Sequence, residues 1–254
     1  MNDQIPTPRL SIVIATWNAA HTFERCIASI TSQSFTDWEL IVSDGGSTDG
    51  TVELIKKHAA SIAWWRSAED AGIYDAWNQA LDHANGDYVC FLGADDTWET
   101  ADTLKVLFSS IGSRRFDLVT SRGRIINPFS QKQTIFGSAW NYRRLGRHMV
   151  VCHPGLLHDR SLFGRFGKFN SHYKIAGDLD FLLRLPEDLA SLHVNAVTVT
   201  IQAGGISRKN VLARLREQRV ALSQCPRYGP VYAQIAWIDK LWRYPIARWL
   251  GISH

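Results

Sequence analysis

The pattern of apolar and polar positions divides roughly the first hundred residues into repeats of strand, turn and helix. Leu10-Ser11-Ile12-Val13-Ile14-Ala15 is a short β-branched run, and beyond Thr16-Trp17-Asn18 the residues Phe23, Cys26, Ile27 and Ile30 recur at helical spacing. Glu39-Leu40-Ile41-Val42 predicts a second strand, which runs into SDGGSTDGT at residues 43–51 and then into a helix carrying Val52, Leu54 and Ile55. Ile62-Ala63-Trp64-Trp65 predicts a third strand. Ile73, Ala76, Trp77, Ala80 and Leu81 then fall on one helical face, and Asn85-Gly86 ends that helix. The apolar run Tyr88–Leu92 leads directly into GADDTW, residues 93–98. Further on, Phe181, Leu182 and Leu185 define a helix, and residues 194–201 a strand. Strands alternating with helices predict an α/β fold, a mixed and mostly parallel sheet flanked by helices.

Chemistry enters where these strands end. Open α/β sheets bind ligands at the carboxyl edge of their strands, and the run to Leu92 delivers Asp95 and Asp96 there. Two carboxylates that close raise one another's pKa. A hard divalent cation, Mg²⁺ or Mn²⁺, resolves the repulsion by sharing carboxylate and phosphate oxygens; read alone, the pair is also compatible with a solvated acidic turn. Gly45 and Gly46 allow the backbone to approach a flat base or ribose, and the carboxylate of Asp44 at the strand end is placed to accept from a base N–H. Ser47, Thr48 and Asp49 read as competitors for the cap of the next helix. Asp75 and Asn78 are three apart on a helix and so are neighbours; they either line one cleft or are surface groups.

LSIVIATWN, SDGGSTDGT, AGIYDAWNQAL and GADD, in this order and spacing, resemble the inverting glycosyltransferases of family 2 with the GT-A fold. HPGLLHDRSLFGRFGKF, AGDLDFLLRL and AGGIS extend the resemblance to about residue 207. They are similar to bacterial transferases that build exopolysaccharide, colanic-acid-like and lipopolysaccharide glycans. The resemblance implies a donor that is a nucleoside diphosphate sugar, most simply UDP-linked. Thr16 and its neighbour Asn18 would form the pocket floor, Asp44 would read the base, and Asp95 would lie near the ribose. Asp75 and Asn78 would join the nucleotide-sugar site, and Asp96 would hold the metal, Mn²⁺ or Mg²⁺. This chain has Ser43 where the family often carries a second Asp.

Inversion by one displacement needs a base for the acceptor hydroxyl. Asp178, in the first turn of the 177–185 helix, is the candidate, with Gly177 standing where the family often has Glu. Asp180 reads as a dipole partner or a local structural acid. His153 either touches the acceptor or diphosphate or is a packed imidazole. Gly205 and Ser207 either close over the phosphates or only turn the chain out of its last strand. The acceptor implied is a glycan or a polyprenyl-diphosphate-linked glycan.

At 254 residues the chain accommodates one large α/β domain and a short appendage. The expected division is a GT-A domain over 1–207, with a nucleotide-sugar half (1–110) and an acceptor half (111–207), followed by a tail over 208–254. Its four cysteines show no CxxC or zinc spacing, as in a reduced compartment. The N-terminal residues lack a signal-peptide pattern, and no apolar run approaches the ~20 residues of a membrane span. A cytoplasmic location follows, with room for peripheral attachment to the inner face of the membrane. The net charge of +4 conceals an asymmetry: residues 1–207 hold 19 basic against 22 acidic side chains, and residues 208–254 hold 9 against 2. The tail mixes Trp237, Trp242 and Trp249 with Lys240, Arg243 and Arg248 in helical segments, and Pro245 should kink or stop the second of them. Such a tail either binds an anionic membrane surface or packs its tryptophans on the catalytic domain. No nucleic-acid motif accompanies the charge. Two other functions share parts of the pattern. A nucleotidyltransferase should carry a basic, glycine-rich triphosphate loop after its first strand, where this chain has ATWNAAHTF. A non-catalytic nucleotide-sugar binder has no use for both Asp96 and Asp178.

Overall fold

Period-2 alternation with both faces apolar is the signature of a strand buried between two helical layers. Strand β1 (Leu10–Thr16) meets it: Ile12 and Ile14 face one core while Val13 faces the other, all three fully buried. In β4 (Tyr88–Gly93), Val89 and Phe91 face the layer that Cys90 and Leu92 do not. The computed structural model describes residues 7–127, 129–204 and 210–249.

The remaining strands are β2 (Trp38–Asp44), β3 (Trp64–Ser67), β5 (Thr97–Trp98), β6 (Leu118–Ile126), β7 (Gln133–Phe136), β8 (Leu157–Asp159) and β9 (Ser191–Gln202). They form one sheet in the order β3-β2-β1-β4-β8-β6-β9-β5, with β7 paired to β6. The long pairings, β1 with β2 and β4, β2 with β3, and β6 with β9, are parallel. The antiparallel ones span four residue pairs at most. The sheet is therefore mixed and mainly parallel, as expected. β3 starts two residues later than the sequence pattern implies, and this carries Ser67 alongside Asp44 at the register Asp44↔Ser67.

Helices α1 (Ala20–Thr31), α2 (Thr51–Lys57), α3 (Ile73–Leu81), α4 (Thr103–Ile111), α5 (Tyr142–Leu145), α6 (Ser161–Phe166) and α7 (Gly177–Arg184) flank the sheet, and α8 (Val211–Gln224) and α9 (Gly229–Trp249) follow β9. The expected boundary at residue 207 does not separate two cores. Leu215, Ala221 and Leu222 of α8, with Cys225 and Ala233, are buried in the same cluster as Trp77, Phe91 and Phe181. Pro245 does not stop α9, which runs on to Trp249; twelve or more residues of hydrogen-bonded helix precede the proline and outweigh the one bond its nitrogen cannot donate. All four cysteines are free and buried.

Candidate active site

Parallel pairing brings the carboxyl ends of β1, β2 and β4 side by side, with Thr16 opposite Asp44 and Ala15 opposite Gly93. The loops that leave these ends are stitched to each other. Asn18, at φ +48°, donates its backbone N–H to Ser47 Oγ at 2.7 Å, and its Oδ1 accepts from the Thr48 N–H at 3.0 Å. Asp49 accepts from the Ala20 N–H and from the Thr51 hydroxyl. It therefore clamps the starts of α1 and α2 together, whereas the N-cap of α2 is Gly50, at φ +101° and with no side-chain cap hydrogen bond, rather than Ser47, Thr48 or Asp49. Asp44 is fully buried. Its carboxylate accepts from the N–H groups of Gly46 (3.1 Å) and Ser47 (2.9 Å) and from the hydroxyls of Ser47 (2.5 Å) and Ser67 (2.6 Å). Three of these donors end on Oδ2 and one on Oδ1, so Oδ1 is the oxygen that keeps an acceptor position for a further N–H. Beneath the loops the hydroxyls of Thr16 and Ser43 are buried without a partner.

Asp95 and Asp96 follow β4 in a tight turn. The Gly93 N–H donates to Asp96 Oδ2 at 2.8 Å, and the Asp96 N–H returns to the Gly93 carbonyl at 3.0 Å. A β-carbon on Gly93 would lie 2.7 Å from Asp95 Oδ1 and 3.1 Å from Asp96 Oδ2. The missing side chain is what lets both carboxylates approach one point. Burial, with Asp95 beside it, pushes the Asp96 carboxyl up to about 8, against the opposing pull of the Gly93 N–H and Arg25. A buried carboxylate with one hydrogen bond and a like-charged neighbour is short of positive charge, and a divalent cation supplies it. Among the described residues no third His, Cys, Asp or Glu joins the pair. The donor set thus suits a hard ion whose other ligands are diphosphate and water oxygens.

In α7, Asp178 lies in the first turn, half-buried. Its Oδ1 accepts from the Leu179 N–H at 2.7 Å and, at 3.4 Å, from the Tyr74 hydroxyl, which also donates to the Ile175 carbonyl at 2.9 Å. Burial raises its carboxyl to about 6, in spite of these hydrogen bonds. Gly177 explains the departure from the family pattern. A β-carbon there would sit 2.8 Å from two carbons of the Tyr74 ring, so the tyrosine occupies the space a Glu side chain would need. Asp180 turns away and pairs with Arg184 Nε at 3.3 Å, one helical turn on, which is the local structural role expected of it.

The sequence over residues 11–175 matches the family model described as glycosyl transferase family 2. The chain belongs to that family. A PGL/p-HBAD biosynthesis glycosyltransferase of Mycobacterium bovis is 34% identical over 221 residues, which cover 82% of this chain and 84% of the relative. An uncharacterized glycosyltransferase of Mycobacterium tuberculosis is 28% identical over 191 residues, 70% of this chain and 68% of the relative. Among solved structures, Staphylococcus aureus TarS residues 1–349 in complex with UDP-GlcNAc superposes with a TM-score of 0.67 at 17% identity, covering 92% of this chain and 71% of that one. The mannosyltransferase PcManGT from Pyrobaculum calidifontis, in complex with GDP-Man and Mn²⁺, gives 0.66 at 19% identity, covering 91% and 70%. The protein is a glycosyltransferase with the GT-A fold, and a nucleotidyltransferase or an inert binder no longer competes.

For three of the expected residues the structure shows what the side chain touches. Asn78 is not free to line a cleft: its Nδ2 donates to the Phe169 carbonyl at 2.8 Å and its Oδ1 accepts from the Phe169 N–H at 3.0 Å. That two-way clamp holds the 166–170 segment on α3. Asp75 faces elsewhere, accepting from the Ala71 N–H and from Gln79 Nε2, both at 3.0 Å, so the two residues do not share a cleft. His153 lies 5.5 Å from Trp77 and 6.0 Å from Phe91 between ring centroids. It is buried, its Nε2 has no partner, and burial lowers its pKa to about 4. It is a neutral core imidazole rather than an acceptor or diphosphate contact. Gly205 and Ser207 lie outside the described residues. Asp70 also reaches the glycine loop: its Oδ1 accepts from the Gly72 N–H at 2.7 Å, and Oδ2 lies where a β-carbon on Gly45 would be 2.9 Å away.

Proposed function

We propose that the enzyme transfers one sugar, with inversion, from a nucleoside diphosphate donor, UDP-linked, to a hydroxyl of a glycan or polyprenyl-diphosphate-linked acceptor in bacterial surface polysaccharide synthesis. The observation that carries this reading is the placement of two kinds of raised carboxylate in one family 2 fold: Asp96, converging with Asp95 at the end of β4, and Asp178 at the start of α7. Thr16, Asn18 and the loop organised by Asp44 receive the nucleotide, with Asp95 toward the ribose. A divalent ion, Mn²⁺ or Mg²⁺, held by Asp96 would offset the charge that develops on the nucleoside diphosphate as the glycosidic bond breaks. Asp178 takes the proton of the attacking hydroxyl while the new C1–O bond forms and the nucleoside diphosphate departs with the electrons of the old one. A carboxyl near 6 is mostly ionised at pH 7 yet basic enough to accept a proton, which suits a general base. UDP-GlcNAc in TarS and GDP-Man in PcManGT are the bound donors of proteins with this fold. Nucleoside diphosphate release from UDP-, GDP- and dTDP-sugars, with Mn²⁺ and with excess EDTA, is therefore the deciding screen. Release with a UDP-sugar that stops in EDTA supports the reading; release that ignores EDTA removes the metal from it.

A peripheral site on an anionic bilayer is part of the same proposal. No helix among the described residues is long and apolar enough to cross a membrane. On α9, however, Val231, Ile235, Ile238 and Trp242 are 74%, 63%, 43% and 73% exposed. Their spacing of four, three and four places them on one face, in the segment that holds the chain's positive excess. The two earlier alternatives for the tail divide between its residues. Trp237 packs beneath Arg219, 5.2 Å from its guanidinium carbon, and Lys240 is held by Gln218 at 3.0 Å with its pKa lowered to about 8 by burial. Val231, Ile235, Ile238 and Trp242 are left for the bilayer. Replacing Ile235 and Ile238 by Glu should abolish sedimentation with phosphatidylglycerol vesicles and leave the fold intact. Unchanged sedimentation, or none by the wild type, counts against a membrane role.

A further inference from the structure

Glu217, in the middle of α8, reaches across to the segment that leads into α7. Its Oε2 accepts from the backbone N–H groups of Ile175 and Ala176 at 2.8 Å each and of Lys174 at 3.2 Å, and its Oε1 accepts from Lys174 N–H at 3.0 Å. Three successive amides of the segment that leads into α7 thus end on one carboxylate from the tail. The same segment is gripped from the other side by α3, where the Tyr74 hydroxyl donates to the Ile175 carbonyl. The Lys174 ammonium reaches the Ala71 carbonyl at the start of the turn before α3. Asp178 lies two residues beyond the last of these amides. Its orientation depends on where α7 begins, and α7 begins where Glu217 and Tyr74 hold the chain.

We infer that Glu217 is a positioning residue for the reaction: its carboxylate fixes the 174–176 backbone and so aims Asp178 at the acceptor hydroxyl. The inference rests on the reading of Asp178 as the base. A second consequence comes from charge. The groups that face Asp178 from the elements packed around it are Tyr74 on α3 and Glu217 on α8, and Asp180 on its own helix turns to Arg184. Glu217 adds negative charge near Asp178 and contributes to its elevated pKa. Removing that charge lowers the pKa of the base. Lys174 and Tyr173 face Glu217 in turn.

Two substitutions in the full-length chain separate the hold from the charge. Glu217→Ala removes both. Glu217→Gln keeps one oxygen for the amides and removes the charge. In Glu217→Ala the amides of residues 174–176 should exchange hydrogen at least about tenfold faster than in the wild type. Donor hydrolysis, read with UDP-GlcNAc, UDP-glucose and GDP-mannose in Mn²⁺, should lose on the order of 10- to 100-fold in kcat with donor KM unchanged, because a small misplacement of a reacting group has that cost. In Glu217→Gln the acid limb of the kcat profile should move to lower pH, a shift that mere loosening of the fold does not produce. Combined with Asp178→Asn, neither substitution should reduce turnover further, since Glu217 acts through Asp178. Unchanged amide exchange in Glu217→Ala overturns the inference. So does a loss of turnover that adds in full to that of Asp178→Asn. Wild-type turnover in Asp178→Asn alone would instead overturn the base reading, and the exchange experiment would still decide whether Glu217 holds the segment.

Discussion

Asp96 and Asp178 are both carboxylates pushed above the ordinary range by burial, but they are held from very different distances along the chain. Asp96 is fixed by Gly93, three residues away, and its setting is one strand end and one turn, with Arg25 of α1 as a remote charge. Asp178 is set by Tyr74 and by the amides that Glu217 gathers, partners from α3 and α8 that are remote in sequence. The donor side is thus a local construction at the edge of a rigid parallel sheet. The proposed acceptor side is assembled by tertiary contact between α3, α7 and α8. Substitutions on the two sides should therefore have separable effects.

The largest effect belongs to the donor side. Asp96→Ala removes the proposed metal ligand, and transfer should fall below detection while Mn²⁺-dependent binding of UDP weakens. Calorimetric titration of UDP with and without Mn²⁺ checks this. An Asp96→Ala protein that binds and turns over like the wild type would move the metal elsewhere. Next comes the acceptor side. Asp178→Asn keeps the shape and removes the proton acceptor, and turnover should drop about 10²- to 10⁴-fold with donor affinity nearly unchanged. In the wild type, turnover should fall as pH drops through about 6, where Asp178 takes up a proton. A profile flat through that range, or an equal loss of donor affinity in the variant, would break the separation of the two sides.

The same difference decides what could be read from the amino-acid order. Thr16, Asn18, Asp44, Asp95 and Asp96 lie at strand ends marked by apolar runs, and parallel pairing brings such ends together almost by construction. Asp178 stood out by its likeness to the family's Glu-Asp position, since a first-turn acid alone reads equally as a helix-end charge. Asn78 and His153 were not legible, because a polar residue near a cleft has several ways to satisfy itself. Asn78 found a backbone peptide, and His153 gave up its charge among aromatic rings. Glu217 carried no local signal at all: an acid inside a basic helix reads as a surface residue until α8 is seen to pack on α7.

A substitution of intermediate size sharpens the acceptor half of the comparison. Gly177→Ala drives a methyl into the Tyr74 ring, and overpacking of this kind typically costs about 1–3 kcal/mol. The melting temperature should fall by several degrees and turnover should decline as Tyr74 leaves Asp178, with UDP and Mn²⁺ binding intact. Combining the change with Tyr74→Leu should recover most of the stability and little of the turnover. If Gly177→Ala costs neither, the ring is not packed against the helix start as described.

The smallest expected effect concerns the metal-free protein and the donor half alone. A carboxyl ordinarily near 3.8 that reaches about 8 when folded keeps its proton in the native state over a range where the unfolded chain has lost it. Stability from this group is therefore highest below the lower value and declines as pH rises toward the upper one. Other groups complicate the lower part of that range: Asp178 works in the same direction up to about 6, and the buried His153, lowered to about 4, works in the opposite one. Lys240, lowered to about 8, adds to stability only as pH rises above that value. Between roughly pH 6.5 and 8 Asp96 stands apart from these three groups, and one proton accounts for at most about 2 kcal/mol across that window. Metal-free wild type should lose a few degrees of melting temperature from pH 6.5 to 8, and Asp96→Asn should lose less. Adding Mn²⁺ with UDP should restore the wild type at pH 8 and leave the variant where it was. Parallel pH curves for the two proteins would mean that Asp96 is ionised at neutral pH without a cation, and the case for a built-in deficit of positive charge at the end of β4 would fall with it.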